Sequence, residues 1–394
     1  MNEQHDVLIA GAGPVGLFAA LRLAQQGVDV LVVEAEPTLG TVSKASTFHP
    51  STLDLLDEAG AADELLHQGV LVDEIQWRDL DATILASIPF SLLAEHTAYP
   101  YRLHAEQTLL TPILLRQLRA INTDSVRFSS RCESLVQDSD GVSATIATAD
   151  GSYTVKSPFL LAADGAHSEV RKQLGIDFPG QAYESRALRV ITKEDLREHL
   201  PGLSGITYVR DARQSCSLLQ MRDHWRFIFR VADKSSDAEA LEPSTVRQLV
   251  DTVAPGVSIS MAEVYSNRAH VASSTVLGRV ALIGDSAHVT TTAGGMNMNC
   301  GLHDAYAMAR ATAQALDGSP LAAFEDAGDE RRRVVRDVIV PRTESRAAGS
   351  DGDTDALTMA IAAAKALAED PHRAFTFLYE ASLFDTAPRL RRKR

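Results

Sequence analysis

The chain has 394 residues, 45% of them hydrophobic and 23% charged, the make-up of a globular protein long enough for two domains or one large composite one. Its formal net charge of −14 speaks against a general nucleic-acid binder, and no uninterrupted apolar run is long enough to span a membrane. Cys132, Cys216 and Cys300 are few, odd in number and not in a Cys-x-x-Cys spacing, so they fit a reducing cytosol and provide neither a disulfide framework nor a zinc site.

Residues 6–10 (Asp-Val-Leu-Ile-Ala) read as a buried parallel strand, apolar and β-branched at its centre. The turn Gly11-Ala12-Gly13-Pro14-Val15-Gly16 follows at once. Residues 14–26 then read as a helix, with Leu17, Leu21 and Ala24 on one face, Pro14 in the first turn and Gly27 just past the end. Gly11 permits the tight turn, Gly13 lets a pyrophosphate approach the backbone, and Gly16 lets helix and strand lie close. The helix N-terminus offers N–H groups and a partial positive charge to phosphates. Residues 28–33 form the next strand, ending at Glu34 and Ala35, roughly 20 residues beyond the glycines, where an acid binds ribose hydroxyls. A signal peptide is the competing reading of this apolar start, but the leading residues are acidic and Arg22 interrupts the run.

Residues 157–163 form a second apolar strand with Asp164-Gly165 at its carboxyl end, Ser168 as a helix cap and Glu169 in the first turn. Ligands of open α/β sheets bind outside the carboxyl ends of strands, which puts Asp164 where a cofactor lies. Residues 278–283 form a third such strand, closed by Gly284-Asp285, and an aspartate there can accept hydrogen bonds from a ribityl chain. A polar loop over 289–293 leads to Gly294-Gly295 and a helix over 296–309, whose N-terminus can stabilise negative charge on a reduced flavin. His288, His303 and Asp304 are candidate catalytic groups, but none has an acid–base partner at a fixed spacing, which favours structural roles.

Taken together, these stretches resemble the class A flavoprotein monooxygenases, the aromatic hydroxylases of the para-hydroxybenzoate hydroxylase fold, over residues 5–345. The matching segments are the glycine fingerprint with Glu34, Ala163-Asp164-Gly165-Ala166-His167-Ser168-Glu169-Val170-Arg171, and Gly284-Asp285-Ser286-Ala287-His288. Lys44 matches a basic residue that contacts the cofactor in the family, and Gln107 matches a glutamine placed against the flavin. In the late loop Gly294, Met298 and Asn299 match, with Gly295 beside them, whereas Thr292 replaces a proline and Asn297 a glycine. Loss of the proline costs rigidity near the reacting edge. Asn297 is the milder change, because Asn tolerates positive φ better than other non-glycine residues.

The resemblance implies an α/β fold in which a Rossmann-like FAD-binding domain of discontinuous segments (1–75, 100–182 and 266–345) interleaves with a mostly antiparallel β-sheet substrate domain (76–99 and 183–265). Residues 346–394 follow as a C-terminal helical segment, with residues 355–380 rich in Ala and Leu and the basic tail 389–394 read as a solvated end. Specificity is expected in the sheet and in the loop 80–99, with Tyr208, Met221, His224 and Trp225 as candidates that are equally well placed for core or sheet-edge roles.

The implied reaction is hydroxylation of a phenol-like or polycyclic aromatic small molecule. NAD(P)H, bound transiently, reduces the FAD, O₂ adds at flavin C4a, and the hydroperoxide transfers one oxygen. No second glycine fingerprint, haem-binding cysteine loop, metal-ligand cluster or Trp-x-Trp halogenase signature is present. The same resemblance implies a cytoplasmic monomer or homodimer without nucleic-acid partners. Two rivals stay open: an FAD oxidase or reductase on the same fold without oxygen insertion, and a non-catalytic flavoprotein sensor or partner.

Overall fold

A computed structural model of the chain describes residues 2–42, 45–231, 235–348 and 354–388. At its centre is a six-stranded sheet in the order Val276–Leu277, Val280–Leu282, Phe159–Ala162, Val7–Ala10, Val30–Val33 and Val126–Arg127, parallel except for the first pair. Its strands Phe159–Ala162, Val7–Ala10 and Val30–Val33 are apolar and buried at every position because both faces are covered. The helices Pro14–Ala24, Gln107–Ile121 and Met296–Leu316 pack Leu17, Leu21, Leu110, Leu114 and Leu302 into one core. On the other face, Leu8, Leu31 and Leu160 meet Ala144, Ile146 and Val155 of a smaller four-stranded sheet.

The second large element is an eight-stranded sheet in the order His288–Val289, Met261–Val271, Gly180–Thr192, Trp225–Val231, Cys216–Gln220, Ile206–Val209, Glu74–Arg78 and Ile84–Pro89. Its pairs are antiparallel except Ile206–Val209 with Glu74–Arg78. Because side chains alternate across a strand, the registers Leu188↔Phe229 and Val190↔Phe227 gather one apolar face, which buries Val246 and Val250 of the helix Pro243–Val253. The registers Ala187↔Tyr265 and Arg189↔Glu263 set a polar opposite face.

Three expectations change. Residues 80–99 are an edge strand, Ile84–Pro89, and a short helical turn, Phe90–Leu93, rather than an open loop. The C-terminal segment is two helices, Thr354–Glu369 and Pro371–Ala381, broken where Asp370 caps the second by accepting from the amides of His372 and Arg373. These helices cover the sheet edge, with His96 against Phe375 and Tyr379, and Phe377 5.7 Å from Trp77. The central strands are also shorter than expected, starting at Val30, Phe159 and Val280.

The three glycine-bearing strand ends meet through atoms rather than through long side chains. The amide of Ala163 donates to the carbonyl of Ala10 (2.7 Å) and that of Ile283 to the carbonyl of Ala162 (2.9 Å). A Cβ on Gly11 would lie 2.8 Å from the Ala163 carbonyl carbon, one on Gly284 3.0 Å from Val15, and one on Gly301 2.9 Å from Val15. Arg171 adds a lock, donating to the carbonyls of Ser286 (2.8 Å) and Ala166 (2.9 Å).

Below this junction lies a buried charge network. Asp304 accepts from His288 Nε2 (2.6 Å) and Arg331 Nε (2.8 Å), and Arg331 also donates to Cys300 Sγ (3.2 Å) and the Thr386 carbonyl (2.7 Å). Burial opposes charge on both partners, yet Asp304 holds His288 well above its ordinary range, while His288 and Arg331 hold the Asp304 carboxyl well below its own. His288, Cys300 and Asp304 stand close enough to ligate a metal, but the guanidinium of Arg331 already bonds both the thiol and the carboxylate. The acid partner of His288 was not visible in the sequence. His303 is separate, hydrogen-bonded to Thr52 (3.1 Å) and held neutral by burial. Replacing Asp304 with Asn leaves buried cations without their counter-charge, so urea unfolding of that variant is expected to show a loss of about 3–5 kcal/mol relative to the parent.

Candidate active site

The site begins at the carboxyl ends of the central strands. The helix Pro14–Ala24 starts from Gly13, which has no side-chain cap, and a Cβ on Gly13 would meet nothing within 4 Å. The amides of that first turn therefore face open space beside a glycine, as an anion cradle requires. Pro14 occupies a position whose amide would be unpaired in any case, and Val15 is the side chain that Gly284 and Gly301 accommodate. Glu34 stands alongside, accepting from the amides of Ala12 (2.7 Å) and Glu36 (2.9 Å), and Ala35 beside it is exposed. Each Glu34 oxygen retains a further acceptor position for a hydroxyl.

Asp164 accepts from the Val170 amide (3.2 Å) with one carboxylate oxygen, while its other oxygen is buried without a partner. Burial raises its pKa. An orphaned acceptor at a strand end is a place for a donor from a bound molecule. Asp285 accepts from Asn297 Nδ2 (2.8 Å), and the Thr290 amide donates to Asn297 Oδ1 (3.0 Å). Asn297 itself does not adopt positive φ. The left-handed residues are Gly294 (φ 82°) and Gly295 (φ 66°), while Asn297 lies in the first helical turn and ties Asp285 to the loop.

At the other end, Gly294-Gly295 leads into the helix Met296–Leu316 with Met298 buried. A Cβ on Gly294 would lie 2.6 Å from Arg346 Nη1, and one on Gly295 would collide with Thr47 Oγ1, so the backbone threads a slot that only glycine fits. Asn299 staples this slot. Its Oδ1 accepts from the His49 amide (2.9 Å) and its Nδ2 donates to the carbonyls of Thr47 (2.9 Å) and Gly295 (2.7 Å). The side chain of Asn299 is thereby committed inside the protein. Gln107 opens its helix with its amide bonded to the carbonyl of Ala45 (2.9 Å), two residues before Thr47. Lys44 lies outside the described residues.

The eight-stranded sheet meets this loop through Asn267, whose Oδ1 accepts from Thr292 Oγ1 (3.1 Å) and the Thr292 amide (3.4 Å). Proline could donate neither bond, so hydrogen bonding restrains a loop that a ring would otherwise stiffen. Nearby on the sheet's polar face, Arg226 pairs with Glu106 and donates to Ser46 Oγ (2.8 Å), Arg189 pairs with Glu263, and Tyr265 is raised in pKa by burial. Of the four sheet candidates, Trp225 lies in the apolar core on the far face, Met221 is buried, His224 hydrogen-bonds Arg226 (3.1 Å), and Tyr208 neighbours Trp77 at 5.5 Å. The sequence did not single out Arg226, Arg346 or His49, whose places depend on contacts made across the fold, such as His49 with Gly294 and Arg226 with Glu106.

An open glycine cradle, a nearby acid, an orphaned aspartate oxygen and a helix N-terminus behind two left-handed glycines together suit a dinucleotide with a polyhydroxyl chain and an anionic ring. A family model described as the FAD binding domain matches residues 4–342. Among curated proteins, the para-nitrophenol 4-monooxygenase of Pseudomonas sp. strain WBC-3 is 28% identical, over 86% of this chain and 86% of that protein. The tetracenomycin B2 monooxygenase-dioxygenase of Streptomyces olivaceus is 33% identical, over 86% of this chain and 68% of that protein. Among solved structures, p-nitrophenol 4-monooxygenase from Pseudomonas putida superposes with a TM-score of 0.89 at 25% identity, covering 98% of this chain and 100% of that one. Aklavinone-11 hydroxylase, solved with FAD and aklavinone, gives 0.78 at 29% identity over 90% of this chain and 71% of that one. With its fold, its glycine-bearing strand ends and most of its length in agreement, the chain belongs to the FAD-dependent aromatic monooxygenases and is a flavoprotein monooxygenase.

Proposed function

We propose that this enzyme hydroxylates a phenol-like aromatic small molecule with O₂ and NAD(P)H, the nicotinamide acting as a transient reductant. The observation that carries the reading is the junction at Thr292–Gly295, where the slot suited to the flavin's reacting end is bonded directly to the polar face of the eight-stranded sheet. FAD, when bound, supplies the electron transfer and the chemistry with oxygen. The protein's part is to bind, orient and keep water out.

In this reading Gly11, Gly13, Pro14, Val15 and Gly16 present backbone amides to the pyrophosphate, and Glu34, with Ala35 beside it, takes the adenosine ribose. Asp285 accepts from the ribityl chain, and Asp164 stands on the side where NAD(P)H arrives. Gly295 and the first turn holding Met298 offer amides and a helix dipole to negative charge on the ring. Asn299 positions that turn, while Gln107 and Lys44 approach the cofactor from the opposite segment. The segments 1–75, 100–182 and 266–345 form the flavin-binding part, and 76–99 with 183–265 the substrate part. Cys132, Cys216 and Cys300, all unpaired and buried, suit a reducing cytoplasm, and no helix among the described residues is long and apolar enough to cross a membrane. The working unit is a monomer or homodimer.

A screen of aromatic compounds for stimulated NADPH and NADH oxidation, with oxygen uptake and product mass, tests the reading. The expected result is matched reductant and oxygen consumption and a product heavier by one oxygen. Consumption without mass gain would favour an oxidase or reductase, and no stimulation by any phenol a non-catalytic flavoprotein.

Asp285→Ala is expected to fold normally and bind FAD about 10–100-fold more weakly, the value of one or two charge-assisted hydrogen bonds. A variant purifying as yellow as the parent would remove Asp285 from the cofactor site. Thr292→Val should keep full FAD content but yield about 2–10-fold less product per NAD(P)H, because one bond restraining the loop is gone.

A further inference from the structure

Behind the Gly294–Gly295 slot lies a buried histidine that the flavin reading leaves without a role. His49 is fully buried and immediately precedes the helix Pro50–Glu58, and its backbone amide donates to Asn299 Oδ1 (2.9 Å). Its ring Nε2 meets the Gly294 carbonyl at 3.0 Å, and a Cβ placed on Gly295 would lie 3.7 Å from the same nitrogen. One residue therefore touches both the staple at Asn299 and the glycine pair itself.

A carbonyl oxygen can only accept, so the Nε2 facing Gly294 carries a hydrogen. Burial first, then the charges of Arg102 and Arg346, hold the ring well below its ordinary range and so neutral, although the bond to the Gly294 carbonyl acts the other way. Arg102 is 1% exposed with its Nε and Nη2 unpaired, so its charge bears on His49 with little screening. In a neutral ring protonated at Nε2, Nδ1 is a lone pair, and it is buried without a partner. The surroundings thus fix one tautomer, and His49 is a constant single donor near neutral pH.

The glycine pair is the part of the loop least able to hold its own orientation. Gly294 and Gly295 sit at φ 82° and 66°, and a peptide between two residues without Cβ resists turning over only weakly. His49 draws the Gly294 carbonyl inward, Asn299 Nδ2 does the same to the Gly295 carbonyl (2.7 Å), and the Gly295 amide donates to the Thr292 carbonyl (3.2 Å). The helix Met296–Leu316 beyond has no side-chain cap, which leaves its first-turn amides for the slot. A carbonyl turned toward the slot would instead set a negative pole against the negative charge of a reduced ring. We infer that His49 is a positioning residue: by donating to the Gly294 carbonyl it keeps that oxygen turned away from the slot, and so favours the reduced, anionic flavin over the oxidised one. This rests on the reading above that places the flavin ring at Gly294–Gly295.

The test measures the flavin midpoint potential of the FAD-loaded enzyme by dye-linked reduction, alongside its FAD content. His49→Leu removes the donor at similar volume, His49→Asn keeps a polar group too short to reach the carbonyl, and His49→Gln keeps a donor near the position of Nε2. The Leu and Asn variants should each favour oxidised over reduced flavin about tenfold more than the parent does, a fall of about 30 mV for a two-electron couple. His49→Gln should hold that ratio within about twofold of the parent. The Asn variant carries the comparison if the Leu variant does not fold. A merely structural role would lower FAD content or thermal stability and leave the potential unmoved.

The parent's potential in both the Leu and Asn variants, at full FAD content, would overturn the inference. An equal fall in all three variants would overturn it too, because the donor itself would then make no difference. Asp285→Ala separates this failure from failure of the reading beneath it. If that variant binds FAD more weakly while the His49 variants keep the parent's potential, only the inference falls. If it also keeps the parent's FAD content and potential, the flavin lies elsewhere and both fall together.

Discussion

The whole arrangement depends on three strand ends coming within backbone distance of one another. Gly11 against Ala163, Gly284 against Val15, and Gly301 against both Val15 and Gly284 leave no room for a Cβ at these three glycines. Interiors are packed to crystal-like density, so one extra carbon at such a point displaces backbone rather than a flexible side chain. The strand ends, the first turn of Pro14–Ala24 and the long helix Met296–Leu316 thus form one rigid junction. A cofactor that spans from the N-terminus of Pro14–Ala24 to Gly294 can be held in a fixed pose only if the junction does not yield.

Charge does the complementary work beneath the junction. Asp304 binds the loop after the third strand, through His288 and the Gly284 amide, to Arg331 of a later helix. Such a network is costly to bury and strongly destabilising to break, so it is better understood as specifying one arrangement than as adding net stability. Its effect is local: it fixes Gly284, and with it Asp285, beside the loop that carries the two left-handed glycines.

The loop Thr292–Gly295 is built on the opposite plan. It is held by polar contacts, Thr292 to Asn267, Asn297 to Asp285 and Asn299 to Thr47, and Arg346 borders it at Gly294. A rigid frame with a hydrogen-bonded rim suits an enzyme that must keep its cofactor while exchanging substrate. The C-terminal helices contribute by covering the edge strand Ile84–Pro89 and by bringing Phe377 toward Trp77 and Tyr208, so the rim near the arginines is walled by aromatic rings.

The strand, glycine turn and helix that frame the candidate site were legible in the chain because their rules are local. A strand, a glycine turn, a helix start and an acid at the next strand end are contiguous, and each has a physical reason to be the residue it is. The helix caps at Ser168 and the turn at Gly294-Gly295 were readable for the same cause. The register of the eight-stranded sheet was not, because it is set by pairings such as Arg189 with Glu263 that are more than seventy residues apart. The acid partner of His288, the bonds that replace a proline at Thr292, the true role of Asn297 and the unpaired donors of Arg102 all arise from long-range contacts. Local spacing therefore determined the fold class and the cofactor-binding frame, while only tertiary structure decided which charges end up buried together without a partner, since burial is a property of the packed molecule and not of any residue's neighbours in sequence.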